Sequence, residues 1–509
     1  MTVKTRPGFV MLATVLASGM GVVDTTAVNT ALPVMQAKLG ADAADSFWIM
    51  EGYLLFQCAL MLLGGVVGDR FGRRRVFLGG VLAFALASLA CAISADAFQL
   101  IVARAFQGVA AAVLFPTSLS LLNASFPPDE RHAATGRWVA LMSVLVVFGP
   151  PTGGVAVQYL TWHWIFFVNL PLCLIAFLLA LTGVAADKER EDRQGRLDWG
   201  GALMTTLTLG GLTYGLLEGS HSGWQADVVA SFVVAVLSFL LFLRIETKVD
   251  NPMVPLGLFR MRLFSGVSLL TLLFYGAFQG GLFFLPFMLI QVEGMHPLNS
   301  ALRILPISIG ISIMSRESGA MVKKYGNRNL LRVGCVLAAI GFAVISQYEV
   351  ASSYWSILFP GLVLISIGVG MSITPITTLA INAVGEELSG MASGLNYALC
   401  RVGMLLAVAG LGLVLAVVFR EQFEAALAVL MLPEAALMEM AAHSAKLAET
   451  PVPDGLTAVE QASARQAIDG AYMYGYERAM QACAVLLLIC AGIAAWMEKP
   501  QHAVRQVAD

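Results

Sequence analysis

The chain has 509 residues, of which 58% are hydrophobic and only 13% are charged, with a net charge of −2. Soluble domains carry roughly 25% charged residues, so a chain this apolar needs lipid as part of its solvent. Its basic residues form no cluster large enough to indicate a nucleic-acid partner. The mean hydropathy of +0.78 therefore predicts a protein with many membrane spans and excludes a soluble enzyme.

Fourteen apolar stretches are long enough to cross a bilayer as helices, which takes about 20 residues each. Helices are predicted because backbone exposed to lipid must satisfy its own hydrogen bonds, and the stretches are too long for barrel strands. The first stretch is also too long for a signal peptide and is predicted to be retained. In chain order the predicted spans are 8–33, 47–67, 76–94, 98–122, 138–160, 162–185, 197–217, 226–243, 264–291, 299–321, 330–347, 353–382, 388–419 and 479–497.

Lysine and arginine residues are divided unequally between the two sides of these spans. If the N-terminus is cytoplasmic, 22 of the 31 lie on the cytoplasmic side, 5 lie outside and 4 lie within spans. Cytoplasmic loops are enriched in these residues, so the count predicts that both termini are cytoplasmic, at a bacterial inner membrane. The longest loop, 420–478, then lies outside and is either a solvated cap or a docking surface for a periplasmic adaptor protein.

A degenerate repeat follows spans two and ten, where residues 65–74 read GVVGDRFGRR and residues 319–328 read GAMVKKYGNR. The aligned identical pairs are Gly65 with Gly319, Gly72 with Gly326, and Arg74 with Arg328. Repeats at corresponding turns predict two halves of like orientation, which is a known transporter plan. The predicted parts are a six-helix bundle over 1–190, two inserted helices with linkers over 191–250, and a second six-helix bundle over 251–509.

Four motifs lie in order on the expected spans and loops: VDTTAVNTALP (23–33), GVVGDRFGRRR (65–75), ARAFQG (103–108) and GPPTGG (149–154). Together they make the chain resemble the major facilitator superfamily, and more narrowly its fourteen-helix drug:proton antiporters of the EmrB/QacA type. The resemblance covers nearly the whole chain and implies an all-α fold of two six-helix bundles plus two inserted helices. One departure is Leu145, which stands where the family often has a glycine.

The resemblance implies proton-coupled efflux of amphipathic drugs or toxic small molecules, cations among them, by alternating access. The proton gradient would be the energy source, with no cofactor or metal, since the sequence has no phosphate-binding loop. One alternative is a dedicated exporter of a single metabolite, such as a sugar, siderophore or antibiotic. A membrane-embedded enzyme or sensor is disfavoured because the six histidines are scattered and the seven cysteines lie in apolar runs.

Three charged residues in the spans are the candidates for proton coupling: Asp24, Glu51 and Arg104. A charge at a helix centre costs ~2.5–3.5 kcal/mol and faces the interior of the bundle. Asp24 is either a proton carrier or a structural hydrogen-bonding group, and Arg104 either tunes a nearby carboxyl or forms a fixed ion pair. Glu51 either binds a proton or a cation, or faces water at the outer interface. The sequence does not establish that Asp24 and Arg104 are neighbours.

The loop motif after span two predicts a gate latch, because an acid at a helix end can pair in only one of two conformations; the alternative is a simple positive-inside anchor. Its residues are Gly65, Asp69, Arg70, Gly72, Arg73 and Arg74. In span five, glycines predict close helix approach and proline predicts a bend. These residues are Gly149, Pro150, Gly153 and Gly154.

Polar and aromatic residues in several spans are predicted to line a substrate cavity: Asn29, Gln107, Tyr275, Phe278, Gln279, Asn396 and Arg401. Aromatic rings there either stack on flat or cationic substrates or simply pack, and Arg401 has a structural role as its alternative. The adjacent pair Arg316 and Glu317 has no assigned role.

Overall fold

The computed structural model describes residues 6–127, 130–185, 198–221, 224–249, 252, 254, 256–350, 352–384 and 389–497. All regular secondary structure in these residues is helical. The first part of the chain forms α1 (Pro7–Leu39), α2 (Ala43–Phe71), α3 (Arg73–Ala92), α4 (Ala97–Ser125), α5 (Arg131–Tyr159), α6 (Trp164–Gly183), α7 (Trp199–His221) and α8 (Ala226–Glu246).

Seven further α-helices follow among the described residues, besides short 3-10 or π-helical turns. They are α9 (Arg262–Val292), α10 (Pro297–Tyr325), α11 (Asn327–Ile345), α12 (Phe359–Asn382), α13 (Ser389–Leu427), α14 (Glu434–Ala442) and α15 (Ala458–Trp496). Two wide π-helical turns interrupt α9, at Gly276–Gly280 and Met288–Val292. Such turns are frequent at functional sites.

Within the part of the chain that the structure describes, eleven helices are long and apolar enough to cross a membrane. This finding agrees with the prediction of a multi-pass membrane protein. Helices α2, α5 and α7 have 29, 29 and 23 residues and so also have the length of a span. The total of fourteen spans and the cytoplasmic placement of both termini stay predictions.

Helix contacts arrange the molecule around two groups. Helix α1 packs against α4, α5 and α6, and α4 also packs against α2 and α3. In the second group α12 packs against α10 and α11, while α15 packs against α11 and α13. Helices α7 and α8 pack on each other, and α7 contacts α2 and α13. The predicted boundaries at 190 and 250 lie outside the described residues, so the predicted division into three parts stays a prediction.

Helix α15 begins well before the predicted span 479–497. A capping box starts it, in which Thr457 N donates to Glu460 Oε2 at 2.8 Å and Glu460 N donates to Thr457 Oγ1 at 3.4 Å. Since α13 ends at Leu427, the segment between the two helices is 428–457 and is shorter than the predicted loop 420–478. The apolar run marks only the part of α15 that resembles a span, because the first turns of this helix are polar.

Arg465 connects the polar start of α15 to its surroundings. Its Nη1 donates to the Ala448 carbonyl at 2.9 Å, its Nη2 donates to the Gln291 carbonyl at 2.6 Å, and it pairs with Asp469. The segment 428–457 is thereby tied to α15 and to the end of α9. Burial raises the pKa of the nearby Glu449 carboxyl, against the opposing charges of Arg465 and Lys446.

The repeated glycines form equivalent turns. Gly72 joins α2 to α3 with φ of 97°, and Gly326 joins α10 to α11 with φ of 81°. A side chain is strained at positive φ, which is why glycine occupies both turns. The following helices are anchored alike: Arg74 donates to the Leu181 carbonyl near the end of α6, and Arg332 donates to the Ala495 carbonyl near the end of α15.

We predict that Gly72→Ala and Gly326→Ala each lower the free energy of unfolding by about 1 kcal/mol, because alanine is strained at positive φ. Gly319→Ala is the matched control, since Gly319 belongs to the same repeat but lies within helix α10 with open space beside it. This control should gain up to about 1 kcal/mol from its higher helix propensity. Thermal or denaturant unfolding in detergent measures all three, and equal effects at Gly72 and Gly319 would contradict the prediction.

Candidate functional site

Asp24 and Arg104 form an ion pair in the centre of the first group of helices. Arg104 Nη1 donates to Asp24 Oδ2 at 2.5 Å, and both side chains are 0% exposed. The contact joins α1 to α4. A buried charge is tolerated when it is paired and hydrogen-bonded, and the structure brings together two residues that the sequence identified separately.

Amide and hydroxyl groups enclose this ion pair. Gln107 Nε2 and Asn169 Nδ2 donate to Asp24 Oδ1 at 3.2 and 3.0 Å. The same two nitrogens reach Ser88 Oγ at 3.0 and 3.4 Å, and Gln107 Oε1 accepts from Arg104 at 2.6 Å. Both oxygens of Asp24 therefore accept hydrogen bonds, which is the arrangement of an ionised carboxylate. The cluster unites α1, α3, α4 and α6.

Arg104 also contacts α2. Its guanidinium lies 4.3 Å from the centroid of the Tyr53 ring, and its Nε donates to the Ile49 carbonyl at 3.1 Å. Its Nη2 is buried and has no hydrogen-bond partner among the described residues. The two N–H bonds of Arg104 Nη2 are thus available to another acceptor.

The sequence identified only part of this cluster. Ser88, Asn169 and Tyr53 were missed, because a neutral polar residue in an apolar span costs far less than a charge. An asparagine within span six was the available signal for Asn169. Gln107 was predicted to line a substrate cavity, but its side chain lies in the ion-pair cluster and is 0% exposed.

Glu51 lies on α2 and is 0% exposed. Neither carboxylate oxygen has a hydrogen-bond partner in the described part of the chain, so Glu51 does not face outer water. One turn earlier, the Phe47 ring packs against three rings of α9, with centroid distances of 5.6, 5.8 and 6.3 Å to Phe283, Phe284 and Phe287. Glu51 therefore lies one helical turn along α2 from an aromatic cluster that joins α2 to α9.

The predicted outer end of the molecule is closed. Gln291 Nε2 of α9 donates to Gln36 Oε1 of α1 at 3.0 Å, and both side chains are buried. Leu298 N of α10 donates to Gln158 Oε1 of α5 at 3.1 Å. Both hydrogen bonds cross between the two helix groups, and Gln36 and Gln291 lie beside Phe47 of the aromatic cluster.

The glycines of GPPTGG place α5 directly against its neighbours. A Cβ added at Gly153 would lie 2.9 Å from the Ala27 Cα, and one at Gly149 would lie 2.7 Å from the Thr26 Cβ, both on α1. Gly154 faces α10 instead. Larger residues at these positions would force the helices apart.

Leu145, one turn before the motif, fits into a gap on the facing helix. A Cβ at Gly19 of α1 would meet the Leu145 side chain, with the Leu145 Cγ at 3.6 Å. The small residue of this contact thus lies on α1 and not on α5. Helix α5 continues through Pro150 without interruption.

The loop motif anchors the turn between α2 and α3. Arg73 Nη1 donates to the Ser120 carbonyl of α4 at 3.5 Å, Arg74 binds the end of α6, and the Arg70 guanidinium lies 5.5 Å from the Phe71 ring. The side chain of Asp69 lies outside the described part of the structure. Its role as a latch stays a prediction.

The remaining predicted cavity residues are spread over several places. Asn396 Oδ1 accepts from Thr271 Oγ1 at 2.8 Å within a helix contact, and Phe278 is 9% exposed in the core. Gln279 Oε1 and Asn29 Oδ1 are buried without a hydrogen-bond partner among the residues described.

Tyr275 on α9 is partly buried, whereas Arg316 and Glu317 on α10 are exposed. Arg401 donates to the Tyr397 hydroxyl from Nε and Nη2, at 3.3 and 2.8 Å. Arg401 lines a small space together with Ser18 and Gln57.

We predict that Asp24→Asn and Arg104→Gln each lower the free energy of unfolding by about 3 kcal/mol, since each leaves a buried charge without its partner. The double variant should lose about 1–3 kcal/mol less than the sum of the two. Denaturant unfolding in detergent measures this coupling, with the exposed Arg478→Gln as a control that should change stability by less than about 0.5 kcal/mol. Additive single effects would show that the pair is not coupled.

A family model described as Major Facilitator Superfamily matches residues 14–408. The tetracenomycin C resistance and export protein of Streptomyces glaucescens is 30% identical over 499 residues, which cover 97% of this chain and 92% of that protein. The multidrug resistance protein Stp of Mycobacterium tuberculosis is 33% identical over 413 residues, which cover 80% of this chain and 76% of that protein.

A solved structure shows the same fold. It is a bacterial homologue of the human lysosomal transporter Spinster, in an inward-facing and unoccupied conformation. The TM-score is 0.65 at 16% sequence identity, and the match covers 96% of each chain.

Proposed function

The chain belongs to the major facilitator superfamily, and we propose that it exports amphipathic drugs or toxic small molecules in exchange for protons. Membership confirms the resemblance read from the motifs and makes the protein a transporter and not an enzyme. The names of its relatives, a resistance and export protein and a multidrug resistance protein, support efflux. We place the protein in a bacterial inner membrane.

The buried pair of Asp24 and Arg104 carries the proposal. Protonation of Asp24 would remove the charge that balances Arg104 and would leave a buried cation unpaired. The conformation seen here would then lose stability relative to one in which Arg104 finds another partner. A proton shifts the equilibrium only by this difference in binding between two states.

Burial of the site supports coupling in a second way. Asp24 is 1% exposed, so in this conformation its carboxylate has almost no surface from which to exchange a proton with water. Exchange would require the helices to move, which prevents a continuous leak. One inward proton supplies ~2.3 kcal/mol per 100 mV of membrane potential, and no cofactor is needed. Glu51, also buried, is our candidate for a second proton-binding or cation-binding group.

The closed outer end supports alternating access. Phe47 with the phenylalanines of α9, and Gln36 with Gln291, join the two helix groups there. A substrate would therefore enter from the opposite, predicted cytoplasmic end. Release would require these contacts to separate while the turn at Gly72 and its arginines close the inner end.

Tyr53 provides a physical connection from the ion pair to the space beside Arg401. Its ring lies against the Arg104 guanidinium, and its hydroxyl accepts from Gln57 Nε2 at 3.2 Å. Gln57 lines the same small space as Arg401. Movement of Arg104 on protonation of Asp24 would therefore disturb Gln57 through a continuous chain of contacts.

We predict that Asp24→Asn abolishes substrate-driven proton movement in proteoliposomes, because an amide cannot carry the proton. The probes are ethidium and a dihydroxyanthraquinone carboxylate, and proton movement is followed with a pH-sensitive dye. Asp227→Asn is the control, since Asp227 is exposed at the start of α8, and it should keep the parental rate. Full coupled transport by Asp24→Asn would exclude Asp24 as the proton carrier. Absence of transport of every tested compound by the parent would count against drug efflux.

We predict that Tyr53→Phe lowers the number of protons moved per substrate by about half or more, because it keeps the ring beside Arg104 but removes the hydroxyl that binds Gln57. Substrate affinity should stay within about threefold, since the cavity lining is unchanged. Tyr348→Phe is the control, because its hydroxyl donates to the Ser352 carbonyl far from the ion pair. An unchanged proton-to-substrate ratio would contradict the connection.

The alternative function is the export of one dedicated metabolite, such as a sugar, siderophore or antibiotic. It differs from drug efflux in the range of molecules that are exported. Susceptibility panels of dyes and antibiotics, in a host with and without the protein, separate the two. Docking of a periplasmic adaptor on the external segment stays a proposal, and co-purification with an adaptor tests it.

A further inference from the structure

A small, partly open space lies between α1, α2, α3, α4 and α13, where the two helix groups meet. Its cavity volume is about 10 Å³, which is about the room that one water molecule needs. In this conformation the space therefore admits a single water-sized group of a larger molecule. Its polar lining comes from Ser18, Gln57 and Arg401.

Arg401 gives this space a positive charge. In the described part of the chain its hydrogen bonds go only to the Tyr397 hydroxyl, and it forms no ion pair there. Arg104, by contrast, is balanced by Asp24. A guanidinium withdrawn from bulk water without an acid is costly, and an acceptor group on a ligand would offset this cost.

Gln57 and Ser18 add unsatisfied polar atoms. Gln57 Oε1 and Ser18 Oγ are buried and have no hydrogen-bond partner among the described residues, and the two side chains are 3% and 4% exposed. Gln57 Oε1 is an amide oxygen and only accepts, while the Arg401 guanidinium only donates. A complementary ligand therefore places a hydrogen-bond acceptor next to a donor.

Phe115 forms a flat aromatic wall of the same space. Its ring stacks on Tyr397 at a centroid distance of 4.0 Å and an interplanar angle of 15°, and it meets Trp138 edge-on at 5.5 Å. A planar ring attached to the polar group could extend this stack.

We propose that this space is the subsite for the polar end of the exported molecule, and that it selects an aromatic carboxylate, or a phenol or enol beside a carbonyl. The proposal rests on the proposed function and specifies its substrate class. A cationic group would lie beside the unbalanced charge of Arg401 and is disfavoured. Glu51, the acid that suggested cations, is not among the residues that line the space.

The test is calorimetric binding to the purified full-length protein in detergent with three flat probes. These are a dihydroxyanthraquinone carboxylate, its neutral carboxamide and the cation ethidium. The parent should bind the carboxylate about tenfold or more tightly than ethidium, because a hydrogen bond to a charged group contributes that much. The carboxamide should bind with intermediate affinity.

Arg401→Gln should weaken carboxylate binding about tenfold or more and change carboxamide binding by less than about threefold. Arg401→Lys keeps the charge but loses the planar donor fork, so it should weaken carboxylate binding less than Arg401→Gln does. It replaces Arg401→Gln if that variant does not elute as a single species. Arg303→Gln is the matched control, because Arg303 lies 5.1 Å from the Tyr354 ring as Arg401 lies 5.3 Å from Tyr397. It should bind all three probes as the parent does.

Three outcomes would overturn the subsite: no saturable binding of the carboxylate by the parent, preference of the parent for ethidium, or an equal loss for all probes in Arg401→Gln. Charge-dependent binding without substrate-driven proton movement would overturn the proposed function and leave the subsite in place. Coupled transport by the parent, together with unchanged probe binding in Arg401→Gln, would overturn the subsite and leave the proposed function in place.

Discussion

The buried ion pair between Asp24 and Arg104 is the constraint on which the rest of the structure depends. Two charges can remain in a membrane interior only if they are paired with each other and hydrogen-bonded. Gln107 and Asn169 provide those partners, and Ser88 holds both amides in place. Four helices must meet at one point to deliver these groups, so the electrostatics of a single carboxylate determine how α1, α3, α4 and α6 are packed.

Close packing has to accompany this polar cluster, because lipid does not drive helices together as water does. Glycines supply it where α5 meets α1 at Gly149 and Gly153, and where α4 meets α2 at Gly108. The contact between Leu145 and Gly19 follows the same rule, since one of the two residues in each close helix contact must be small. Rigid contacts of this kind favour two discrete arrangements over gradual deformation, which suits the proposed alternation between two states.

The sequence predicted those features that carry a high energetic cost or a strong local pattern. Asp24 and Arg104 stood out because charges in apolar helices are rare, and the turns at Gly72 and Gly326 stood out as a repeat. Ser88, Asn169 and Tyr53 give no such signal, and the pairing of Leu145 with Gly19 depends on which helices are neighbours. Whether Glu51 faced water or the interior also depended on packing. The predicted span 479–497 was shorter than helix α15, because apolarity marks where a helix crosses lipid and does not mark where a capping box begins it.

The attachment of segment 428–457, which is predicted to lie outside, has a mechanical consequence. Arg465 binds it to α15 and to the end of α9, and the same segment also contacts α2 of the other group. If the outer end opens, the segment must travel with the helices that hold it and slide across α2. A ligand that fastened it to α2 would arrest the cycle from the outside, with no access to the substrate space required.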